Sequence, residues 1–119
     1  MKTSRARNQT KDAPVVQNVR IASSIWSRFW GLMGKRPLPD GEALLIDPCT
    51  SVHTMFMRFP IDVIYLSEDN HVVKIVPEMT AWRASLGGKG AKRVLEMPPG
   101  AAARVNLTPG DQITFEPLA

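Results

Sequence analysis

Ile61-Asp62-Val63-Ile64-Tyr65-Leu66-Ser67-Glu68-Asp69-Asn70-His71-Val72-Val73-Lys74-Ile75-Val76 is the stretch that decides the fold. Two runs rich in β-branched and aromatic residues flank the polar break Glu68-Asp69-Asn70, and this pattern predicts an antiparallel hairpin, with Asn70 tolerating a left-handed backbone. Ile61 to Leu66 is apolar at both parities, and so is Val52 to Phe59. A strand with one wet face alternates, so both runs are expected as central strands covered on each side.

Working outward from the hairpin, Val15, Val16, Val19 and Ile21 predict a first strand over Val15 to Ala22. Ser23-Ser24 then offers hydroxyl caps to a short amphipathic helix carrying Ile25, Trp26, Phe29, Trp30 and Met33, closed by Gly34. Lys35 to Gly41 holds two prolines and a glycine and reads as a loop before a short strand at Ala43 to Ile46. Beyond Pro77 the pattern weakens into an irregular stretch containing Trp82, Arg83, Gly87, Gly88 and Gly90, which suggests an Ω-type or functional loop. A strand at Arg93 to Met97, a helical turn or two at Ala101 to Val105, a type II turn at Thr108-Pro109-Gly110-Asp111 and a closing strand at Gln112 to Glu116 complete the chain. Some seven short strands with two short helices indicate a mainly β fold, a compact sandwich or partly open barrel without internal repeats.

The chain has 119 residues, 44% of them hydrophobic, which is enough to bury one core. We expect a single β-rich domain over residues 13 to 119, preceded by a disordered basic tail at residues 1 to 12. That tail carries Lys2, Arg5, Arg7 and Lys11 but no apolar run, so it has no secretory core, and no stretch approaches membrane-spanning length. One cysteine, Cys49, excludes an intrachain disulfide and suits a reducing compartment, so a cytoplasmic location is expected. Of the formal charge of +4, most sits in the tail; the remainder has eleven basic against ten acidic groups. A nearly neutral body is poor evidence for a face that tracks phosphates, which argues against nucleic acid as a partner.

Chemistry concentrates at residues 49 to 62, where Cys49, His53, Arg58 and Asp62 sit among apolar neighbours and must find partners or function. Cys49 and His53 could form a thiolate and base, but extended residues at about 3.3 Å per step hold their α-carbons roughly 13 Å apart unless the chain bends near Thr50-Ser51. One cysteine and two histidines do not complete a zinc site without carboxylates, so no metal is expected. Met55 and Met57 share parity with His53, which suits copper(I) ligation or, beside Phe56 and Phe59, core filling. Arg58 and Asp62 flank Pro60 and could bridge each other or face a ligand. Glu96 shares the face of Val94 and could pair with Arg58. Trp82-Arg83 sets an aromatic face beside a guanidinium, suited either to a planar or anionic ligand or to pinning the loop.

Gly31-Leu32-Met33-Gly34, the run from His53 to Asp62, Val94-Leu95-Glu96 followed by Gly100, and Pro109-Gly110-Asp111 together resemble the bacterial and archaeal family called domain of unknown function 192. The likeness spans roughly residues 20 to 116. It implies a compact, mainly β domain and implies neither an activity nor a cofactor, since the family has no agreed one. Many of its members carry an export or lipoprotein signal.

From the residues themselves, the expected function is recognition of a polar or anionic small molecule or a short peptide by His53, Arg58, Asp62, Trp82, Arg83 and Glu96 converging on one hollow. An enzyme using His53 as base with Cys49 is the alternative. A nucleic-acid-binding module ranks last; Leu107 to Ile113 is similar to the turn-and-strand ending of swapped-hairpin DNA-binding domains, which are shorter and more basic.

Overall fold

The computed structural model describes residues 2–22, 38–54 and 59–117. Among them are nine strands: β1 (Lys2–Asn8), β2 (Ala13–Ala22), β3 (Glu42–Ile46), β4 (Ser51–His53), β5 (Ile61–Leu66), β6 (Val72–Met79), β7 (Ala84–Leu86), β8 (Arg93–Met97) and β9 (Ile113–Pro117). One helical turn, α1 (Ala101–Arg104), lies between β8 and β9. Seven strands form one curled sheet in the order β6-β5-β8-β3-β2-β1-β9, and β4 with β7 makes a separate two-stranded sheet. The mainly β fold is therefore a half-barrel with a small flap rather than two packed sheets of equal size.

The hairpin forms as its sequence dictates. β5 and β6 pair antiparallel, Ile64 opposite Ile75 and Tyr65 opposite Lys74, and Asn70 takes the turn at φ 65°. Every residue of β5 is buried, because β5, β8 and β3 occupy the middle of the sheet with apolar cover on both faces. Ile64, Leu66, Leu45, Leu95 and Met97 pack on the concave face with Ala101, Ala102 and Leu107. Leu44, Ile46, Val63, Tyr65 and Val94 pack on the other, against Cys49, Val52, Met79 and Ala91. The two edge strands approach at one end: His71 bridges to Gln112, and the Ile113 amide donates to the Asn70 carbonyl at 2.9 Å. The turn before β9 has Gly110 at φ 94° directly after Pro109, where a type II turn needs a residue free of a Cβ.

Three expectations are corrected. Residues 2–8 are not a disordered tail: β1 pairs with β2 on one side and β9 on the other. Its inward residues Ser4, Ala6 and Asn8 are buried, but they are small or polar, so the strand carries no hydrophobic periodicity. Val52 and His53, the described strand residues of the run Val52 to Phe59, belong to the small sheet and not to the centre of the large one. Pro77 does not begin the irregular stretch, since β6 runs through it to Met79. The helix expected over Ile25 to Met33, and Met55, Met57 and Arg58, lie outside the described residues.

Candidate functional site

Tyr65 is the post on which the flap stands. It projects from β5 to the convex face and is fully buried, and its hydroxyl donates to the Ser85 carbonyl at 3.0 Å with the Ser85 hydroxyl 2.5 Å away. Gly87 crosses directly over its ring: a Cβ there would stand 2.5 Å from Tyr65 Cδ1 and collide with Ala91. Only glycine permits that approach. In the flap, Val52 opposes Ser85 and faces inward, whereas His53 opposes Ala84 and Ser51 opposes Leu86 on the outer side. Beneath, Lys74 stands beside Tyr65 on the neighbouring strand and its ammonium donates to the Leu86 carbonyl at 2.9 Å.

These elements enclose an open groove of about 600 Å³ lined by Ser51, His53, Lys74, Ala84, Ser85 and Leu86, with no carboxylate in its walls. It joins one ammonium, one imidazole and two hydroxyls to an apolar floor, and Leu86 is 71% exposed. Such a surface suits a polar or anionic group attached to an apolar body. A second hollow, of about 430 Å³, lies between Arg5, Arg7, Gln17 and Glu116. Both of its arginines are already paired, Arg5 with Glu116 and Arg7 with Asp12, which leaves it less charge to offer.

Trp82 and Arg83 sit at the approach to β7, both exposed. Their backbone is held by Thr54, which is fully buried. The Thr54 amide donates to the Arg83 carbonyl at 2.8 Å, the Arg83 amide to the Thr54 hydroxyl at 3.0 Å, and the Trp82 amide to the Thr54 carbonyl at 2.9 Å. Trp82 itself has φ 62°, an uncommon conformation for a bulky residue that surrounding contacts must enforce. The segment is thus pinned to the core by its main chain while its side chains remain outside.

Asp62 points the other way, into the concave face. It is fully buried and accepts three main-chain amides: Glu78 at 2.8 Å, Gly100 at 3.1 Å and Ala102 at 2.9 Å. The carboxylate thereby ties the end of β6 and the start of α1 to β5. Glu96 is on the opposite side of the sheet, beside Leu44 and Val63, in the layer beneath the flap. Burial in that apolar layer pushes its carboxyl up to about 7, and among the described residues it has no hydrogen-bond or ion-pair partner. Asp62, Glu96 and His53 therefore occupy three separate environments and do not meet in one hollow.

The Cys49 thiol is buried and donates to the Ser51 carbonyl at 3.1 Å, while His53 stands exposed on the outer side of β4. That placement suits packing better than nucleophilic chemistry. Among the described residues no three His, Cys, Asp or Glu side chains gather as metal ligands, and no helix is long and apolar enough to cross a membrane. The groove residues Lys74, Ser85 and Leu86 were missed from the sequence; the one signal that could have found them is Lys74, a cation that interrupts an apolar strand.

The chain belongs to domain of unknown function 192, described as Uncharacterized ACR, whose profile matches residues 6–115. It is 33% identical over 114 residues to a UPF0127 protein of Thermococcus sibiricus, covering 92% of this chain and 73% of that one. A UPF0127 protein of Pyrococcus furiosus is 32% identical over 113 residues, covering 91% and 95%. The fold is similar to that of a candidate transcription regulator from Sinorhizobium meliloti, with TM-score 0.82, 19% identity and 96% and 92% of the two chains covered. It is also similar to a protein of unknown function from Novosphingobium aromaticivorans, with TM-score 0.80, 21% identity and 94% and 83% covered.

Proposed function

We propose that the chain is a binding module that takes a polar or anionic small molecule or a short peptide in the groove over β4 and β7. The observation that carries this reading is the groove's lining, where His53 and Lys74 meet exposed Leu86 and no acidic side chain intervenes. Charge of one sign in a concave, partly apolar wall raises the local concentration of the opposite sign and orients it. Lys74 is the charged contact and His53 a polar one, and Arg83, exposed immediately before β7, adds a cation near the rim. Arg58 remains a proposed anion contact. Asp62 and Glu96 serve the scaffold, Asp62 by fixing β6 and α1 and Glu96 from beneath the flap.

Titration of isotope-labelled protein with citrate and with inorganic phosphate tests this reading by nuclear magnetic resonance. Saturable shifts of the His53 imidazole and Lys74 side-chain signals, with Arg5 and Arg7 unmoved, are expected. Equal small shifts at every exposed cation would mean diffuse charge screening and would remove the groove from consideration.

A further inference from the structure

We propose that the occupant of this groove is an extended acidic peptide that adds to the open edge of β7 as a third strand, an inference that rests on the groove being the binding site. Among the described residues the flap has two strands, so each has a strand neighbour on one side. The Thr54 amide bonds the Arg83 carbonyl, and the Gly87 amide bonds the Thr50 carbonyl. Hydrogen-bonded pairs in an antiparallel ladder alternate, so Val52 and Ser85 form the pair between these two. The amides and carbonyls of Ala84 and Leu86 must then point away from β4. Two further contacts agree with this phase: the Leu86 carbonyl takes the Lys74 ammonium and the Ser51 carbonyl takes the Cys49 thiol, each from outside the ladder.

Ala84 and Leu86 are two residues apart, the repeat at which an added strand exchanges main-chain hydrogen bonds. Both are exposed. An incoming amide would displace the Lys74 ammonium from the Leu86 carbonyl, and the released cation would be left beside the added strand. With no carboxylate in the groove's lining, a carboxylate of the peptide is the ion-pair partner within its reach, which is why an acidic segment fits and a basic one does not. Leu86 offers the apolar contact for an alternate side chain. Until then the lysine shields an edge that would otherwise pair indiscriminately.

The test uses the full chain, isotope-labelled, and a pool of random hexapeptides with aspartate fixed at alternate positions, beside a matched pool with lysine and an N-methylated acidic pool. The acidic pool should shift the main-chain amides of Ala84 and Leu86. The lysine and N-methylated pools should not, and Lys74→Gln should weaken the acidic interaction about tenfold. Circular dichroism of that exposed-residue variant verifies that it folds. Shifts at His53 and Lys74 without any at the Ala84 and Leu86 amides would overturn strand addition while leaving a small-anion site intact. Equal response to the acidic and N-methylated pools would overturn it as well. No response to any pool, citrate or phosphate would remove both the peptide and the groove.

Discussion

The Asp62 carboxylate and the Ala102 amide are joined at 2.9 Å across the concave face, forty residues apart in the chain. With Glu78 and Gly100 as its other donors, Asp62 satisfies three main-chain groups that no strand partner serves. Replacing it with alanine leaves the buried Ala102 amide and the part-buried Glu78 and Gly100 amides without this acceptor, at a cost of about 3 kcal/mol. Asp62→Asn should recover part of that loss, because one amide oxygen still accepts. Urea denaturation of the two variants checks the order.

Thr54→Val keeps the shape of the side chain and removes the hydroxyl that accepts the Arg83 amide and donates to the Thr80 carbonyl at 2.5 Å. A loss of about 1–2 kcal/mol is expected. Hydrogen exchange should show faster opening confined to residues 80–84, with β5 and β8 unchanged. Uniform acceleration throughout the sheet would mean that Thr54 supports the global fold instead of this segment.

Gly87→Ala tests the contact between flap and sheet. The added methyl meets Tyr65 and Ala91, and overpacking of this kind costs about 2–3 kcal/mol. The variant should also lose the Tyr65–Ser85 hydrogen bonds, read from tyrosine fluorescence, and should bind the groove's ligand less well than wild type.

Glu96 predicts a pH dependence of stability. Its carboxyl lies at about 7 against an ordinary 4.5, so the fold favours the protonated form. The associated stability is complete below about pH 4.5 and is lost as pH rises through 7, an effect of about 3 kcal/mol. Glu96→Gln should flatten this slope and be the more stable protein at pH 8. Asp111 works with the opposite sign. Burial opposes its ionisation, but hydrogen bonds from Thr108, Asn8 and Lys11 outweigh that and lower its pKa, so its contribution is lost as pH falls through the folded value. Thermal melts of wild type and Glu96→Gln between pH 5 and 8 isolate the Glu96 contribution, because Asp111 titrates below that range.

The hairpin, the doubly covered β5, the short strands β3 and β8, and the turn at Pro109-Gly110 were legible because each is written locally, in apolar composition or in a residue that one backbone conformation demands. β1 was not, because Ser4, Ala6 and Asn8 fill its inward side with groups that periodicity does not register. For the site, sequence proximity misled: Asp62 and His53 lie nine positions apart yet serve opposite sides of the sheet. The groove was hidden for the converse reason. Lys74 and Leu86 meet only because Tyr65 holds Ser85 and Gly87 over β5 and β6, a relation that depends on the assembled sheet.

The most direct measurement of the central claim is native mass spectrometry of the protein purified without a chelating step, compared with a His53→Ala, Lys74→Gln double variant. Wild type should retain an additional anionic or peptidic mass that the double variant loses while remaining folded. Retention of the same mass by both proteins would place the ligand elsewhere and contradict the assignment of the groove.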